Sequence, residues 1–168
     1  MELTDNLVQA NNTFATNMYK ELSTAKENFI FSPFSISSAM GMVYAGAREN
    51  TAAEIKRTLH FEGDQEETAL AFKALNQALL FSDISPDQKL NIANGLCIIR
   101  EDVSEAYKTL LQENYDAEIF PGDLAAINAW ITQKTEGKIE NLLENIDEDT
   151  VCILLNAIYF NGIWKWEF

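Results

Sequence analysis

The stretch that decides the fold runs from Asn28 to Phe61 and reads NFIFSPFSISSAMGMVYAGARENTAAEIKRTLHF. Its first four residues form a short, largely apolar run that predicts a strand. Ser32 and Pro33 follow and mark a helix start, because serine is a good N-cap and proline suits the first helical position. Apolar residues then recur at spacings of three and four among many small ones, which predicts a closely packed helix.

A second helix start lies within the same stretch. Thr51 and Glu54 have the spacing of a capping box, in which each side chain would accept a hydrogen bond from the other residue's backbone N–H. Ile55 and Leu59 continue with helical spacing. We therefore expect two consecutive helices, the first buried and the second amphipathic.

The same patterns predict helices and strands along the rest of the chain, with no repeat or flexible linker to divide it. The predicted helices are 5–22, 32–46, 51–59, 67–81, 104–115 and 123–136, and the predicted strands are 28–31, 88–100, 118–120 and 150–160. Asp123 is expected to cap the last helix, and Gly137 is expected to end it in a left-handed conformation. The predicted fold class is α+β.

Both long strands should be central strands of a sheet that helices cover on both faces. On the first strand, Leu90, Ile92, Leu96 and Ile98 share one face, and Ala93, Cys97 and Ile99 share the other. The second strand is apolar except for Asn156. A buried amide without partners costs about 1–3 kcal/mol, so Asn156 must be hydrogen-bonded. Two hypotheses remain open: satisfaction by nearby backbone groups, or the polar cluster that a family resemblance, described next, implies.

Three blocks stand in order along the chain: Asn28 to Thr51, Asn128 to Ile139, and Leu155 to Trp164. Together they resemble the signature of the serpins, a family of serine protease inhibitors. The first resembles Asn-x-x-x-Ser-Pro-x-Ser-Ile followed by Gly-Ala-x-x-x-Thr. The second resembles Asn-x-Trp-Val with Thr-x-Gly-x-Ile, and the third resembles Asn-Ala-Ile-Tyr-Phe-x-Gly-x-Trp. The motif positions in this chain are Asn28, Pro33, Gly46, Thr51, Asn128, Trp130, Thr135, Gly137, Phe160, Gly162 and Trp164.

The resemblance implies a serpin-like fold, in which several N-terminal helices pack on a large, mainly antiparallel sheet that is incomplete here because the C-terminal part is absent. It also implies a shutter, or latch, beneath the place where strands part. The residues at the matching positions are Ser32, Ser35 and Asn156. Strand 150–160 would form one rim of the gap that opens, with Leu155, Ala157 and Tyr159 as the rim residues.

The implied function belongs to a longer parent protein, because the reactive loop of serpins lies beyond Phe168. In that parent, a serine protease or a cysteine protease would cleave the loop, which would then insert into the main sheet and trap the enzyme. Two alternatives remain. The parent could be a non-inhibitory serpin that acts as a chaperone or carrier, or the chain could be a truncated fragment that only binds partners or has no function.

The start of the chain resembles the leaderless intracellular branch of the family, since it shows no basic segment followed by an apolar one. We therefore expect a cytoplasmic location, with non-classical release to the extracellular space. The complete protein is expected to be a monomer, and the fragment is expected to self-associate. Trp164, Trp166 and Phe168 alternate with charged residues, so they either fold back on this domain or, as we prefer, contact the rest of a larger one.

Composition excludes several classes of function. The chain of 168 residues has 12 Lys and Arg against 26 Asp and Glu, a net charge of −14 that disfavours nucleic acids and acidic membranes as partners. The single histidine, His60, lies at a predicted helix end, and no motif of a catalytic centre occurs, so we expect no enzyme. Cys97 and Cys152 are too far apart in sequence for a zinc motif and are expected to be reduced thiols, so no cofactor is expected.

Overall fold

The computed structural model describes residues 2–24, 27–80, 88–100 and 103–163. Within these ranges the chain forms six helices and three strands, in keeping with the predicted α+β class. In chain order the elements are α1 (Glu2–Leu22), α2 (Pro33–Gly46), α3 (Glu49–Thr58), α4 (Gln65–Leu80), β1 (Lys89–Ile98), α5 (Glu105–Tyr115), β2 (Ala117–Pro121), α6 (Leu124–Lys134) and β3 (Cys152–Asn161).

The three strands form one sheet in the order β2-β1-β3. β1 runs parallel to β2 and antiparallel to β3. α5 supplies the crossover that a parallel pair of strands requires. The described part of the sheet is therefore mixed, and its longer pairing is antiparallel, in keeping with the incomplete, mainly antiparallel sheet that the resemblance implies.

Helices cover both faces of this sheet. On one face α2 contacts α1, α4, α5 and β3, and on the other face α6 lies against β1 and β3. Leu96 belongs to the core beneath α2, and its neighbour Cys97 belongs to the core beneath α6. Both side chains are fully buried, so β1 is covered on both faces, as predicted from its sequence.

The residues that begin α2, α4 and α6 explain where these helices start. The Ser32 hydroxyl accepts a hydrogen bond from Ser35 N, with Pro33 in the first turn, and the Asp123 carboxylate accepts one from Ala126 N at 3.0 Å. A capping box opens α4, because Asp64 N donates to Glu67 Oε2 and Glu67 N donates to Asp64 Oδ1.

The predicted strand 28–31 is wrong. This segment is extended, but its backbone pairs with no strand among the described residues, and the Ile30 side chain is 98% exposed. A strand needs a neighbouring backbone to bond with, and the described ranges present none at this position. Phe29 instead packs beside Tyr19 of α1, with ring centroids 5.8 Å apart.

The predicted capping box at Thr51 is also wrong. α3 begins at Glu49, so Thr51 lies in the first turn of the helix with its side chain exposed. The reason is the tight connection from α2. The guanidinium of Arg48 donates to the carbonyl oxygen of Ala47 at 2.7 Å, and the chain turns into α3 directly after it.

No helix in the described ranges is both long enough and apolar enough to span a membrane. Trp164, Trp166 and Phe168, for which the sequence predicts a packing surface, lie outside the described residues.

Candidate functional site

α2 packs closely against α4 and α5 because it carries glycine at two contact positions. A Cβ atom on Gly41 would come within 2.6 Å of the Phe72 ring, and one on Gly46 would come within 2.9 Å of the Tyr107 ring. Two aromatic side chains from α4 and α5 therefore rest directly on the helix backbone. The serines of the same helix lie within hydrogen-bonding distance of β1 and β3.

The antiparallel register of β1 and β3 places two asparagines opposite each other. Asn94 is the register partner of Asn156, and both lie on the face of the sheet that α2 covers. The Asn156 side chain donates from Nδ2 to Asn94 Oδ1 at 2.8 Å. Ser35 Oγ donates to Asn156 Oδ1. These bonds satisfy both ends of the Asn156 amide.

Asn94 connects this pair to two further elements. Ser38 Oγ of α2 donates to Asn94 Oδ1 at 3.3 Å, and Asn94 Nδ2 donates to the carbonyl oxygen of Tyr115 at the end of α5, at 2.7 Å. We call Ser35, Ser38, Asn94 and Asn156 the polar network. It joins α2, β1, β3 and α5 beneath the sheet.

The structure brings together two of the three predicted shutter residues. Ser35 and Asn156 are bonded to each other, and they lie 121 positions apart in sequence. The Ser32 side chain is bonded to Ser35 N, at 3.2 Å, rather than to Asn156. Ser32 therefore contributes to the network by fixing the first turn of α2. Of the two hypotheses for Asn156, satisfaction by nearby backbone groups is wrong, since side chains of α2 and β1 bind its amide.

Asn94 is a network residue that the sequence analysis did not single out. It is 3% exposed and makes three of the hydrogen bonds described above. The sequence does contain a sign of a buried polar residue here. Leu90, Ile92, Leu96 and Ile98 share one face of the strand, and the position between them on that face, 94, is an asparagine. A polar residue in the gap of an apolar alternation indicates a buried amide with partners.

The predicted rim residues lie on the opposite face of β3. Leu155 and Ala157 are buried in the core beneath α6, and Tyr159 is half-buried opposite Asn91 of β1. Among the described strands, β3 pairs only with β1, so its other edge is unpaired. The predicted rim residues therefore lie on a strand that is at the edge of the described sheet. One face of this strand packs against α6, and the other is hydrogen-bonded to the polar network.

α6 is attached to the sheet through Glu118 of β2. Trp130 Nε1 donates to Glu118 Oε2 at 2.7 Å, and Lys134 forms an ion pair with the same carboxylate. The hydrogen bond from Lys134, followed by that from Trp130, holds the pKa of the Glu118 carboxyl below its usual value against the opposing effect of partial burial. A Cβ on Gly95 would lie 3.0 Å from the Trp130 ring, so glycine allows this ring to approach β1.

Two other motif residues hold the segment that follows α6. Asn128 Nδ2 donates to the carbonyl oxygen of Leu143 at 2.9 Å, and Asn128 Oδ1 accepts from Leu143 N at 3.0 Å. Thr135 Oγ1 accepts from Ile139 N at 3.0 Å. Gly137 follows α6 with φ of +74°, as predicted for a left-handed exit.

The remaining motif positions that the structure describes have no hydrogen-bonding role in this site. Asn28 is exposed, Phe160 is 67% exposed at the end of β3, and Gly162 lies against the Phe160 ring. Trp164 lies outside the described residues. His60 follows Leu59, the C-cap of α3, and its ring Nε2 is 3.2 Å from Asn17 Nδ2 on the protein surface.

The two thiols lie on opposite faces of the sheet. Cys97 of β1 belongs to the core beneath α6, whereas Cys152 of β3 packs against the core beneath α2. Both are free, and burial raises the pKa of each thiol. A disulfide between them would require one side chain to cross the sheet.

Comparison with known proteins identifies the family. The family model described as Serpin (serine protease inhibitor) matches residues 9–168. The chain belongs to the serpin family. The fold described above is therefore that of the N-terminal part of a serpin.

Individual serpins are similar to this chain over nearly its whole length. Iripin-8 of Ixodes ricinus is 38% identical over 96% of this chain and 43% of its own. The leukocyte elastase inhibitor of Bos taurus is 36% identical over 98% of this chain and 46% of its own. The crystal structure of human thyroxine-binding globulin is 28% identical with a TM-score of 0.81, over 95% of this chain and 46% of that one. This serpin chain thus spans less than half the length of each of these three relatives.

Proposed function

We propose that this chain is the N-terminal part of a longer serpin that inhibits a serine protease. A reactive loop beyond residues 1–168 is cleaved by the protease and inserts as a new strand beside β3, which traps the enzyme. A cysteine protease is the other target class. The chain itself provides one side of the insertion gap and none of the residues that contact the protease.

The observation that supports this proposal is the polar network beneath β3, one edge of which has no partner among the described strands. Asn156 is held from two sides, by Ser35 of α2 and by Asn94 of β1. Hydrogen bonds are directional, so they define one arrangement of strand and helix more sharply than apolar contacts do. A structure that must pass between a closed and an expanded sheet needs such discrete arrangements.

The test is covalent trapping by the full-length parent. It is incubated with trypsin-like, chymotrypsin-like and elastase-like serine proteases and with a papain-like cysteine protease, and the products are separated under denaturing conditions. We expect a denaturant-stable complex with at least one active protease. The matched control is the same protease with its catalytic nucleophile chemically blocked, which should give no complex. If every active protease digests or ignores the parent, the inhibitor proposal is wrong.

A second candidate function is that of a non-inhibitory carrier, which the likeness to thyroxine-binding globulin favours. The two functions differ in whether the cleaved loop enters the sheet. Cleavage of the parent's loop should raise its unfolding temperature strongly if the loop inserts, because the sheet then gains a bonded strand. An unchanged unfolding temperature after cleavage would favour the carrier.

A further inference from the structure

The C-terminal ends of α1 and α3 enclose a cavity of about 460 Å³, within the range of roughly 300–1,000 Å³ that is usual for small-molecule sites. Its apolar floor is formed by Phe14, which is 6% exposed, and by the partly buried Met18. A second cavity of about 230 Å³ adjoins it, because Phe14 and Thr58 line both. Apart from Thr58 and Glu54, the second cavity is lined by apolar side chains, the others being Ile36, Met40, Ile55 and Leu59.

Cationic side chains line the larger cavity where it meets solvent. Lys20 of α1 and Arg57 of α3 are both exposed there, and His60 follows α3 at the same edge. Glu21 is the carboxylate that lines the same cavity. The described lining therefore carries more positive than negative charge, although the chain as a whole has a net charge of −14. Such a local reversal of sign favours an anionic ligand.

Lys20 and Arg57 are not engaged elsewhere in the described structure. Neither forms an ion pair within the described ranges. Basic residues in the last turn of a helix often bind its last carbonyl groups, but here the backbone and two hydroxyls do so. At the end of α3, Phe61 N donates to the carbonyl oxygen of Lys56 at 3.0 Å, and groups of residues 23–24 close the end of α1 in the same way. Both cations are therefore available to a ligand.

His60 adds a hydrogen-bond donor at the same edge. Asn17 Nδ2 lies 3.2 Å from His60 Nε2. Because an NH2 group donates, the ring Nε2 accepts, and Nδ1 carries the hydrogen of the neutral imidazole. Asn17 thus orients the ring and leaves Nδ1–H for an anion.

We propose that this cavity binds a small carboxylate with an apolar tail, such as a medium-chain fatty acid. The carboxylate binds Lys20 and Arg57, whose guanidinium can donate two parallel hydrogen bonds to it, and His60 supplies a further donor. The tail covers Phe14 and enters the second cavity past Thr58, where burial of its apolar surface contributes the rest of the affinity. The inference does not depend on whether the parent inhibits a protease.

The test is calorimetric titration of the full-length parent with dodecanoate, below the concentration at which it forms micelles. We expect saturable binding at a single site. Dodecanol lacks the charge and acetate lacks the tail, so each should bind at least about tenfold more weakly.

The charged half of the site is tested by Arg57→Gln, which should weaken dodecanoate binding at least about fivefold. Lys56→Gln is the matched control, because Lys56 is the neighbouring cation on α3 and does not line the cavity. It removes the same charge and should keep the wild-type affinity within about twofold.

The apolar half is tested by Thr58→Phe. Thr58 is exposed and lines both cavities, so a larger side chain narrows the connection between them without entering the buried core. We expect T58F to bind dodecanoate about tenfold more weakly. Thermal unfolding of each variant confirms that it is folded before it is titrated.

Any of four results would overturn the proposal. These are no saturable binding of dodecanoate to the parent, equal losses in R57Q and K56Q, dodecanol bound as tightly as dodecanoate, and wild-type affinity in T58F. None of these measurements needs a protease. A parent that traps a protease but binds no dodecanoate would therefore contradict only this inference, and one that binds dodecanoate but traps no protease would contradict only the proposed function.

Discussion

Asn156 has both of its amide atoms bonded to side chains from other elements, so one substitution there tests the polar network. Asn156→Leu leaves the Ser35 hydroxyl and Asn94 Oδ1 each short of a partner. We expect the free energy of unfolding of the parent to fall by about 1–3 kcal/mol and polymer formation on mild heating to increase. Denaturant unfolding and gel filtration measure the two effects.

The control for this change is Asn161→Leu at the exposed end of the same strand, where the loss should be smaller. Unchanged stability of N156L together with no additional polymer would mean that water or local rearrangement replaces the lost bonds.

Cys97 and Cys152 should both remain free thiols that can be alkylated, whether or not the protein is kept under reducing conditions. Their side chains lie on opposite faces of the sheet, which prevents a disulfide within one chain. We expect mass spectrometry after alkylation in denaturant, without reductant, to show two modified cysteines. A mass lower by two hydrogens with no alkylation would contradict the observed strand register.

The roles of some residues can be predicted from the sequence and the roles of others cannot, for physical reasons. Ser32, Asp123 and Gly137 act locally, within one helical turn, so their roles follow from neighbours in sequence. The bond between Asn94 and Asn156 depends on the strand register, which no local pattern states. The gap in the apolar alternation marks Asn94 as buried, yet its partners are known only from the fold.

At the level of elements, α6 is attached to β2 through a carboxylate, so its attachment should depend on pH. The pKa of Glu118 is lowered in the folded state, so its contribution to stability is present above the unfolded-state pKa and is lost as pH falls through the folded-state pKa. The Glu118 side chain is half exposed, so we expect E118Q to cost less than about 1 kcal/mol at neutral pH.

Thermal unfolding of the parent and of E118Q between neutral and acid pH checks this expectation. The difference in unfolding temperature should shrink as the pH falls, because the wild-type carboxylate is then protonated as well. A difference that grows toward acid pH would rule out Glu118 as the anchor of α6.

Residues 138–146, which follow α6, should become more mobile when the two hydrogen bonds from the Asn128 side chain to the Leu143 backbone are removed. Asn128→Ala deletes both hydrogen bonds to the Leu143 backbone, and we expect faster amide hydrogen exchange across 138–146 and a loss of about 1–3 kcal/mol. Asn145→Ala, in the same segment but exposed, is the control. Equal exchange rates in the two variants would show that these hydrogen bonds do not order this segment.

The helices could be predicted from local sequence, but the pairing of the strands could not. Periodicity and capping residues lie within each helix, so α2 and α6 follow from their own sequences. Residues 28–31 have the composition of a strand, yet whether they pair depends on a partner that lies elsewhere in the chain. The parallel pairing of β1 with β2 likewise depends on how α5 packs and not on the composition of either strand.

At the level of the whole molecule, the apolar surface predicts how residues 1–168 behave alone. Ile30, Phe160 and Ile163 are each more than half exposed, and one edge of β3 is unpaired within the described sheet. Unpaired edges beside apolar side chains favour pairing between chains. We therefore expect the isolated 168-residue chain to form oligomers and to lack antiprotease activity.

Sedimentation velocity and denaturant unfolding decide this question. A monodisperse monomer with one sharp unfolding transition would contradict the expectation and would favour an independent domain. The full-length parent, measured in the same buffer, is the control and should sediment as a monomer.

The register between β1 and β3 also sets an order of events during synthesis. Residues 99–151 separate the two strands, so α5, β2 and α6 leave the ribosome before β1 has an antiparallel partner. Until β3 emerges, Asn94 has no Asn156 to bind and Leu96 lacks its register partner Leu154. Contacts between segments that are distant in sequence form slowly. Until they form, the exposed edges of the strands can pair with the wrong segments. We expect nascent chains stalled before β3 to recruit holding chaperones, and chains stalled well after it to release them.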